Sequence, residues 1–165
     1  MEGKVLRIFV AAEAEEAMTE VTEIRAVAGR GVDGDRYFNA KGTFSAKKTP
    51  DRQITLIETE AIEAAARDYK LPLDARDARR NLLTRDVPLN HLVGREFTVG
   101  EVRLRGLRLC DPCGHLEKIT KTKGLEKALA NRGGLRAEIL IGGVIRPGDA
   151  FDLEPEDVTA KVRLS

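Results

Sequence analysis

The stretch Val102-Arg103-Leu104-Arg105-Gly106-Leu107-Arg108-Leu109-Cys110 carries the pattern that decides the fold. Val102 and Leu104 are two residues apart, as on one face of a strand, whereas Leu107 and Leu109 fall on the opposite parity. The phase slips at Gly106. A β-bulge at that glycine keeps the leucines in the core and turns Arg108 and Cys110 towards the other face. Bulges commonly re-aim side chains beside sites, so the residues after Cys110 merit chemical attention.

Outward from this strand, other segments repeat the two-residue period. Leu6, Ile8 and Val10 share one face against Val5, Arg7 and Phe9, and Ala137, Ile139 and Ile141 repeat the pattern. Gln53 to Ile57 and Glu96 to Val99 are further short strands, with glycines at 29, 31, 34, 94, 100, 133, 134, 142, 143 and 148 punctuating the gaps. Two segments switch to helical spacing. One places Ile62, Ala65, Ala66 and Tyr69 on a face, with Thr59 as N-cap and an end before Pro72; the other centres on Leu125, Ala128 and Leu129 and stops at Gly133-Gly134. The predicted class is mainly β, a barrel or sandwich with a few short helices, with α+β as the alternative. Asn39 to Asp51 reads as a mobile loop, and the tail from Glu154 as loosely held.

With 165 residues, the chain is expected to form one domain, residues 1–165, with a core from about 5 to 151. Lys and Arg number 28 against 27 Asp and Glu, a net charge of +1. That balance argues against a general nucleic-acid or anionic-membrane binder, though not against a local anion pocket. The longest uncharged apolar run, Ile139 to Ile145, is far below the roughly 18 residues of a membrane span. Charges at Glu2, Lys4 and Arg7 break any secretory apolar region, and two cysteines only three positions apart suit a reducing compartment, so a cytoplasmic location is expected.

Chemistry concentrates at Cys110-Asp111-Pro112-Cys113-Gly114-His115. Cys113 follows a proline near the end of a strand, where a turn would expose its sulfur. Arg108, His115 and Lys118 favour a thiolate there and Asp111 opposes it; an inert, packed Cys113 is the bland alternative. The C-x-x-C spacing also suits disulfide exchange, but that motif normally opens a helix after a strand of an α/β unit. Zinc would draw on Cys110, Cys113, His115 and His91, a poor spacing for a closed tetrahedral site. A third constellation sets arginines beside glycines and amides: Arg36 after Gly31-Val32-Asp33-Gly34-Asp35, then Arg79-Arg80-Asn81, then Arg132-Gly133-Gly134-Leu135-Arg136. Guanidinium forks match phosphate, and Asn81 offers both a donor and an acceptor; surface ion pairing is the ordinary alternative for any single arginine. Asp35 is expected to hydrogen-bond local backbone in a tight turn. No nucleotide-binding phosphate loop, dinucleotide fingerprint or G-x-S-x-G elbow occurs.

In order, Gly34-Asp35-Arg36, Arg80-Asn81, Gly94 with Gly100-Glu101-Val102, Pro112-Cys113, and the closing segments Arg132 to Leu140 and Gly142 to Asp149 resemble the MOSC (molybdenum cofactor sulfurase C-terminal) domain family, here a small stand-alone member. The resemblance implies a β-barrel fold, binding of the molybdenum cofactor and a sulfur-carrier role. Cys113 then carries a persulfide or ligates molybdenum, while Arg36, Arg80, Asn81 and Arg136 line the cofactor pocket, with Arg80 and Asn81 near a cavity that also sees Cys113. A pyridoxal-phosphate desulfurase domain does not fit in this length, so pyridoxal phosphate is not expected on this chain, and a separate cysteine desulfurase is the implied sulfur donor. The alternatives are a molybdenum-dependent reductase component acting on N-hydroxylated bases with redox partners, and a non-catalytic β-barrel binding module.

Overall fold

In the computed structural model, which describes residues 2–13, 15–38, 53–110, 120 and 123–153, the decisive stretch is strand β8 (Val102–Leu109). It pairs antiparallel with β9 (Leu135–Ile141), and the register jumps from Gly106 opposite Ala137 to Arg108 opposite Arg136. Leu107 is the extra residue of the expected bulge. Glycine is needed there for a second reason: a Cβ on Gly106 would stand 2.1 Å from the Leu92 carbonyl oxygen. Gly94 N–H donates to the Gly106 carbonyl at 2.8 Å, and Gly106 N–H donates to the Arg95 carbonyl at 2.9 Å, so the bulge receives the preceding loop. Arg108 turns outward as expected, whereas Cys110 is buried.

The fold is mainly β. Eight strands form one sheet in the order β11 (Phe151–Leu153), β7 (Glu96–Val99), β8, β9, β5 (Ile54–Glu58), β6 (Leu82–Arg85), β1 (Lys4–Val10), β2 (Thr19–Val21). A second sheet has the order β10 (Gly143–Ile145), β3 (Ile24–Val27), β4 (Gly31–Val32). The two ends of the long sheet approach each other: Val5 N–H donates to the Asp149 carbonyl at 3.0 Å, Gly148 N–H to Val5 at 2.7 Å and Phe151 N–H to Gly3 at 2.9 Å. The ladders do not close the sheet, so the barrel is not established by the strand pairing alone.

β5 and β6 are parallel, and such a pair needs a crossover. Helix α1 (Thr59–Tyr69) supplies it. Because β5 runs straight into the helix, Glu58 occupies the N-cap position, with no side-chain cap, in place of the expected Thr59. The buried face comprises Thr59, Ala61, Ile62 and Ala65; Tyr69 lies beyond it and is exposed. The sheet separates two apolar clusters by strand alternation. Ile8, Leu56 and Leu82 enter the larger one, while Phe9, Ile57 and Leu83 point to the other face, against Ile62 and Ala65 of α1 and Leu125 and Ala128 of α2 (Leu125–Ala128). Each such fully buried aliphatic side chain contributes about 1.5–3 kcal/mol.

Two phase expectations change. In β1 the register against β6 shifts between Val5 and Arg7, so Val5 joins Ile8 in the larger cluster and Leu6 packs on the smaller one beside Phe9. In β9 the pairing passes from Ile139 to Ile141 across adjacent residues of β8, skipping Leu140, which leaves Ile141 exposed while Ala137 and Ile139 are buried. Both are bulges without a glycine to announce them. The loop expected from Asn39 to Asp51 and the tail from Glu154 lie outside the described residues. Among the described residues no helix is long and apolar enough to cross a membrane.

Candidate functional site

The central polar run enters β6 from a 3-10 turn, Ala75–Ala78, whose start is fixed by reciprocal capping. The Asp74 side chain accepts from Arg76 N–H at 3.0 Å, and Asp77 accepts from Asp74 N–H at 3.2 Å. The turn ends on Arg79, left-handed at φ 58°, with its N–H returned to the Arg76 carbonyl. That geometry delivers Arg79, Arg80 and Asn81 in succession into the buried start of β6.

Asn81 acts as a clasp between strands. Its Oδ1 accepts from Thr55 N–H at 3.0 Å and from the Thr55 hydroxyl at 3.3 Å, and its Nδ2 donates to the Phe9 carbonyl at 3.1 Å. Its own backbone also bonds both strands: Asn81 N–H donates to the Thr55 carbonyl at 3.0 Å, and Phe9 N–H donates to the Asn81 carbonyl at 2.8 Å. The donor and acceptor read from the sequence are thus both taken up by β1 and β5.

Asp35 and Arg36 reach the same place from the turn after β4. Asp35 N–H bonds the Val32 carbonyl at 3.0 Å around Gly34 at φ 92°, which is the expected tight turn. The carboxylate, however, reaches a distant strand end: Oδ1 accepts from Ala11 N–H at 3.0 Å and from Arg36 Nη1 at 3.2 Å. Arg36 N–H returns to the Ala11 carbonyl at 2.7 Å, its Nη1 meets Met18 Sδ at 3.7 Å, and its guanidinium lies 4.5 Å from the Tyr37 ring centroid. Burial pushes the Asp35 carboxyl above its ordinary range, opposed by Arg36, the Ala11 N–H and Asn81.

Arg36, Arg79 and Arg80 are all buried, at 8%, 6% and 9% exposure. Arg79 donates to the Glu16 carbonyl and Arg80 Nε to the Gly133 carbonyl at 2.9 Å. Burial lowers the Arg79 pKa, and repulsion from Arg36 and then Arg80 lowers it further. Arg79 stands in the same motif as Arg80 and Asn81 with no role assigned to it from the sequence; the signal that marks it is the capped turn before it.

Gly133-Gly134 joins this cluster to the cysteine segment. Cys110 N–H donates to the Gly134 carbonyl at 2.7 Å, and a Cβ on Gly134, at φ 108°, would stand 2.1 Å from the Leu56 carbonyl. Arg136, partly buried, sits in register with Thr55 of β5 and Arg108 of β8, one strand from the Asn81 clasp. Arg36, Arg80 and Asn81 therefore converge, and Arg136 is placed beside them by register. Cys113 and His115 lie outside the described residues. Cys110 is 2% exposed and His91 is exposed on the 3-10 turn Leu89–Leu92; no metal-holding group of His, Cys, Asp and Glu occurs among the described residues.

Comparison with known proteins bears on the fold and the family. No curated protein matches the sequence significantly. Among solved structures, the YuaD protein from Bacillus subtilis superposes with a TM-score of 0.73 at 16% identity, over 92% of this chain and 94% of that one. YiiM from Geobacillus stearothermophilus gives 0.72 at 17% identity, over 96% of this chain and 78% of that one. YiiM from Escherichia coli gives 0.69 at 18% identity, over 94% and 71%. At these identities the likeness is one of fold. The family model of the MOSC domain matches residues 42–152, about two thirds of the chain, including Arg80, Asn81, Cys113 and Arg136 but not Arg36. The chain belongs to the MOSC domain family.

Proposed function

We propose that this chain is a molybdenum-cofactor-binding, sulfur-handling module in which Cys113 bears sulfur as a persulfide or ligates molybdenum. Arg36, Arg80 and Arg136 hold the phosphorylated pterin, and Asn81 fixes the strands that present them. The observation that carries the reading is the buried arginine cluster. Arg36 and Arg80 both lie near enough to Arg79 to repel it, Gly133 accepts from Arg80 and Gly134 accepts from Cys110, so the cationic cluster and Cys110 after β8 share one glycine pair. Buried guanidinium groups fit a phosphorylated ligand in charge and in fork geometry.

When bound, the cofactor would supply a redox-active metal with soft sulfur ligands. The chain's own residues bind and orient. Arginines neutralise the phosphate, the clasp at Asn81 keeps β1, β5 and β6 in register, and Cys113 supplies the thiol. A persulfide on Cys113 exposes its outer sulfur to an acceptor and is removable by reductants. The donor is a separate cysteine desulfurase, and the place of work is the cytoplasm. The sheet curls into a barrel in this reading, supported by the bonds that draw Gly3 to Val5 against Gly148 to Phe151.

The test is persulfide loading by mass spectrometry after incubation with a desulfurase and cysteine, for Cys113→Ser and Cys110→Ser separately. Cys110→Ser should load and Cys113→Ser should not; full loading of Cys113→Ser assigns the wrong sulfur. Metal and pterin analysis of protein made in a cofactor-competent host tests the cofactor: absence of both from the purified chain removes it from the reading.

A further inference from the structure

At the end of β6 away from Asn81, the chain turns through Asp86, whose backbone is left-handed at φ 61°, and enters the segment Val87 to Leu92. Val87, Leu89 and Leu92 seat that segment in the larger apolar cluster, and its continuation docks on the β8 bulge, where Gly94 N–H donates to the Gly106 carbonyl. Its first half is held from the start of α1 by two carboxylates. Glu60 Oε2 accepts from Asp86 N–H at 2.8 Å, and the Leu89 N–H acts as a donor towards Glu58. The bond to Asp86 matters because a left-handed backbone is one that a residue with a Cβ does not favour by itself.

The two carboxylates oppose each other. Burial raises the Glu58 pKa, and repulsion from Glu60 raises it further; the Leu89 N–H and the His91 charge act the other way. Glu60 Oε1 is buried and, among the described residues, has no hydrogen-bond partner. One proton on Glu58 removes the repulsion, leaves an oxygen to accept from Leu89 and adds an O–H donor near a carboxylate that has an acceptor to spare. The charged groups acting on Glu58 are Glu60 on α1 and His91 on the turn Leu89–Leu92. Arg85, at the end of β6, is paired with Glu63 at 3.4 Å and has Lys4 of β1 opposite it in register.

We infer that Glu58 and Glu60 form a proton-operated latch on the segment from Asp86 to Leu92. With one proton on the pair the segment is held at both Asp86 and Leu89; with both carboxylates ionised, their repulsion loosens it, and the change passes through Gly94 to the Gly106 bulge. Because the folded-state pKa of Glu58 is raised, the hold is complete in acid and is lost as pH rises through that value. The latch stands apart from the arginine cluster and requires no bound cofactor.

The experiment is amide hydrogen exchange on the full chain, read by NMR between pH 5 and pH 7.5 as protection factors corrected for intrinsic exchange. Protection at Asp86 and Leu89 should fall several-fold as pH rises, and Gly94 and Gly106 should follow with the same midpoint. Thr55 and Ile139, whose N–H groups bond the Asn81 and Gln53 side chains, are the controls and should not change. Glu58→Gln cannot ionise and should keep the acid-side protection throughout. His91→Gln removes a charge that favours ionised Glu58 and should move the midpoint to higher pH, a shift that a purely structural role does not produce. A flat wild-type profile, or a fall of equal size at Thr55 and Ile139, overturns the latch. A profile that persists in Glu58→Gln, or a midpoint unchanged or lowered in His91→Gln, overturns Glu58 as its titrating group. Should Glu58→Gln fail to fold, Glu60→Gln, which removes the repelling charge and keeps an acceptor for Asp86, must flatten the profile, or the latch is overturned. Steady protection at Gly94 and Gly106 while Asp86 and Leu89 respond overturns the link to the bulge.

Discussion

Replacing Asn81 by alanine separates a residue that holds strands from one that holds a ligand. The substitution removes the acceptor for Thr55 N–H and the donor to the Phe9 carbonyl, both at buried residues, 7% and 1% exposed. An orphaned buried donor costs about 1–3 kcal/mol, and a carbonyl that keeps a second lone pair in use costs towards the lower end. The Asn81 backbone bonds to Thr55 and Phe9 survive. A total loss of about 3 kcal/mol follows, which at a urea slope of about 1–3 kcal/mol/M moves the midpoint down by roughly 1–3 M. Urea unfolding followed by far-UV circular dichroism reads this directly. Arg80→Met is the contrast, because it loses one hydrogen bond, to the Gly133 carbonyl, while relieving a buried charge, and should cost about 1 kcal/mol. If Asn81→Ala shifts the midpoint by less than about 0.3 M with an unchanged slope, the clasp argument is wrong and the Asn81 amide is available to a ligand.

Three further outcomes are expected. Gly106→Ala places a methyl 2.1 Å from the Leu92 carbonyl oxygen and should cost about 3 kcal/mol or more through overpacking and loss of the Arg95 and Gly94 bonds; a variant within 1 kcal/mol of wild type by the same unfolding assay, with about that error, would show that the loop moves aside freely. Asp35 has a folded-state pKa raised mainly by burial, so its contribution favours folding below the ordinary aspartate value, about 3.9, and is lost as pH rises through the folded-state value. Asp35→Asn, which cannot ionise, should therefore gain stability relative to wild type between pH 4 and pH 7, and a deficit that grows over that range contradicts the burial argument. Leu83→Ala should cost about 2–5 kcal/mol, since Leu83 is 3% exposed between the sheet and α1; a loss under 1 kcal/mol in thermal or urea unfolding would mean the helical face repacks.

What the sequence disclosed and what it withheld divide along a physical line. The β8 bulge was legible because Gly106 marks it and the leucine parity changes there. The bulges in β1 and β9 have no such marker: only the register against β6 and β8 shows that Val5 joins Ile8 and that Leu140 is skipped. Leu82-Leu83-Thr84-Arg85 escaped notice as a strand because both leucines are buried, on opposite faces, leaving no alternation to read. Its parallel pairing with β5 is equally silent, since the strand read over Gln53 to Ile57 carries no sign of its partner or of that partner's direction. The N-cap at Glu58 was misplaced because capping preferences assume a loop before a helix, and here a strand enters it directly.

The site divides in the same way. Arginines beside glycines were visible as motifs, but their meeting is a product of non-local bonds: Asp35 to Ala11 across 24 residues, Asn81 to Phe9 across 72, Arg80 to Gly133 across 53. Sequence reading treats each motif as a separate candidate and weighs each against surface ion pairing. That alternative loses its force once Arg36, Arg79 and Arg80 are buried together, because surface pairing needs solvent and these groups have almost none. Asn81 has its amide engaged by Thr55 and Phe9, on the strands that hold the arginines in place, and by Asp35. The motif Arg79-Arg80-Asn81 thus has two chemical tasks in three residues: two cations left with weak acceptors, followed by a clasp whose full use keeps the burial of those cations possible.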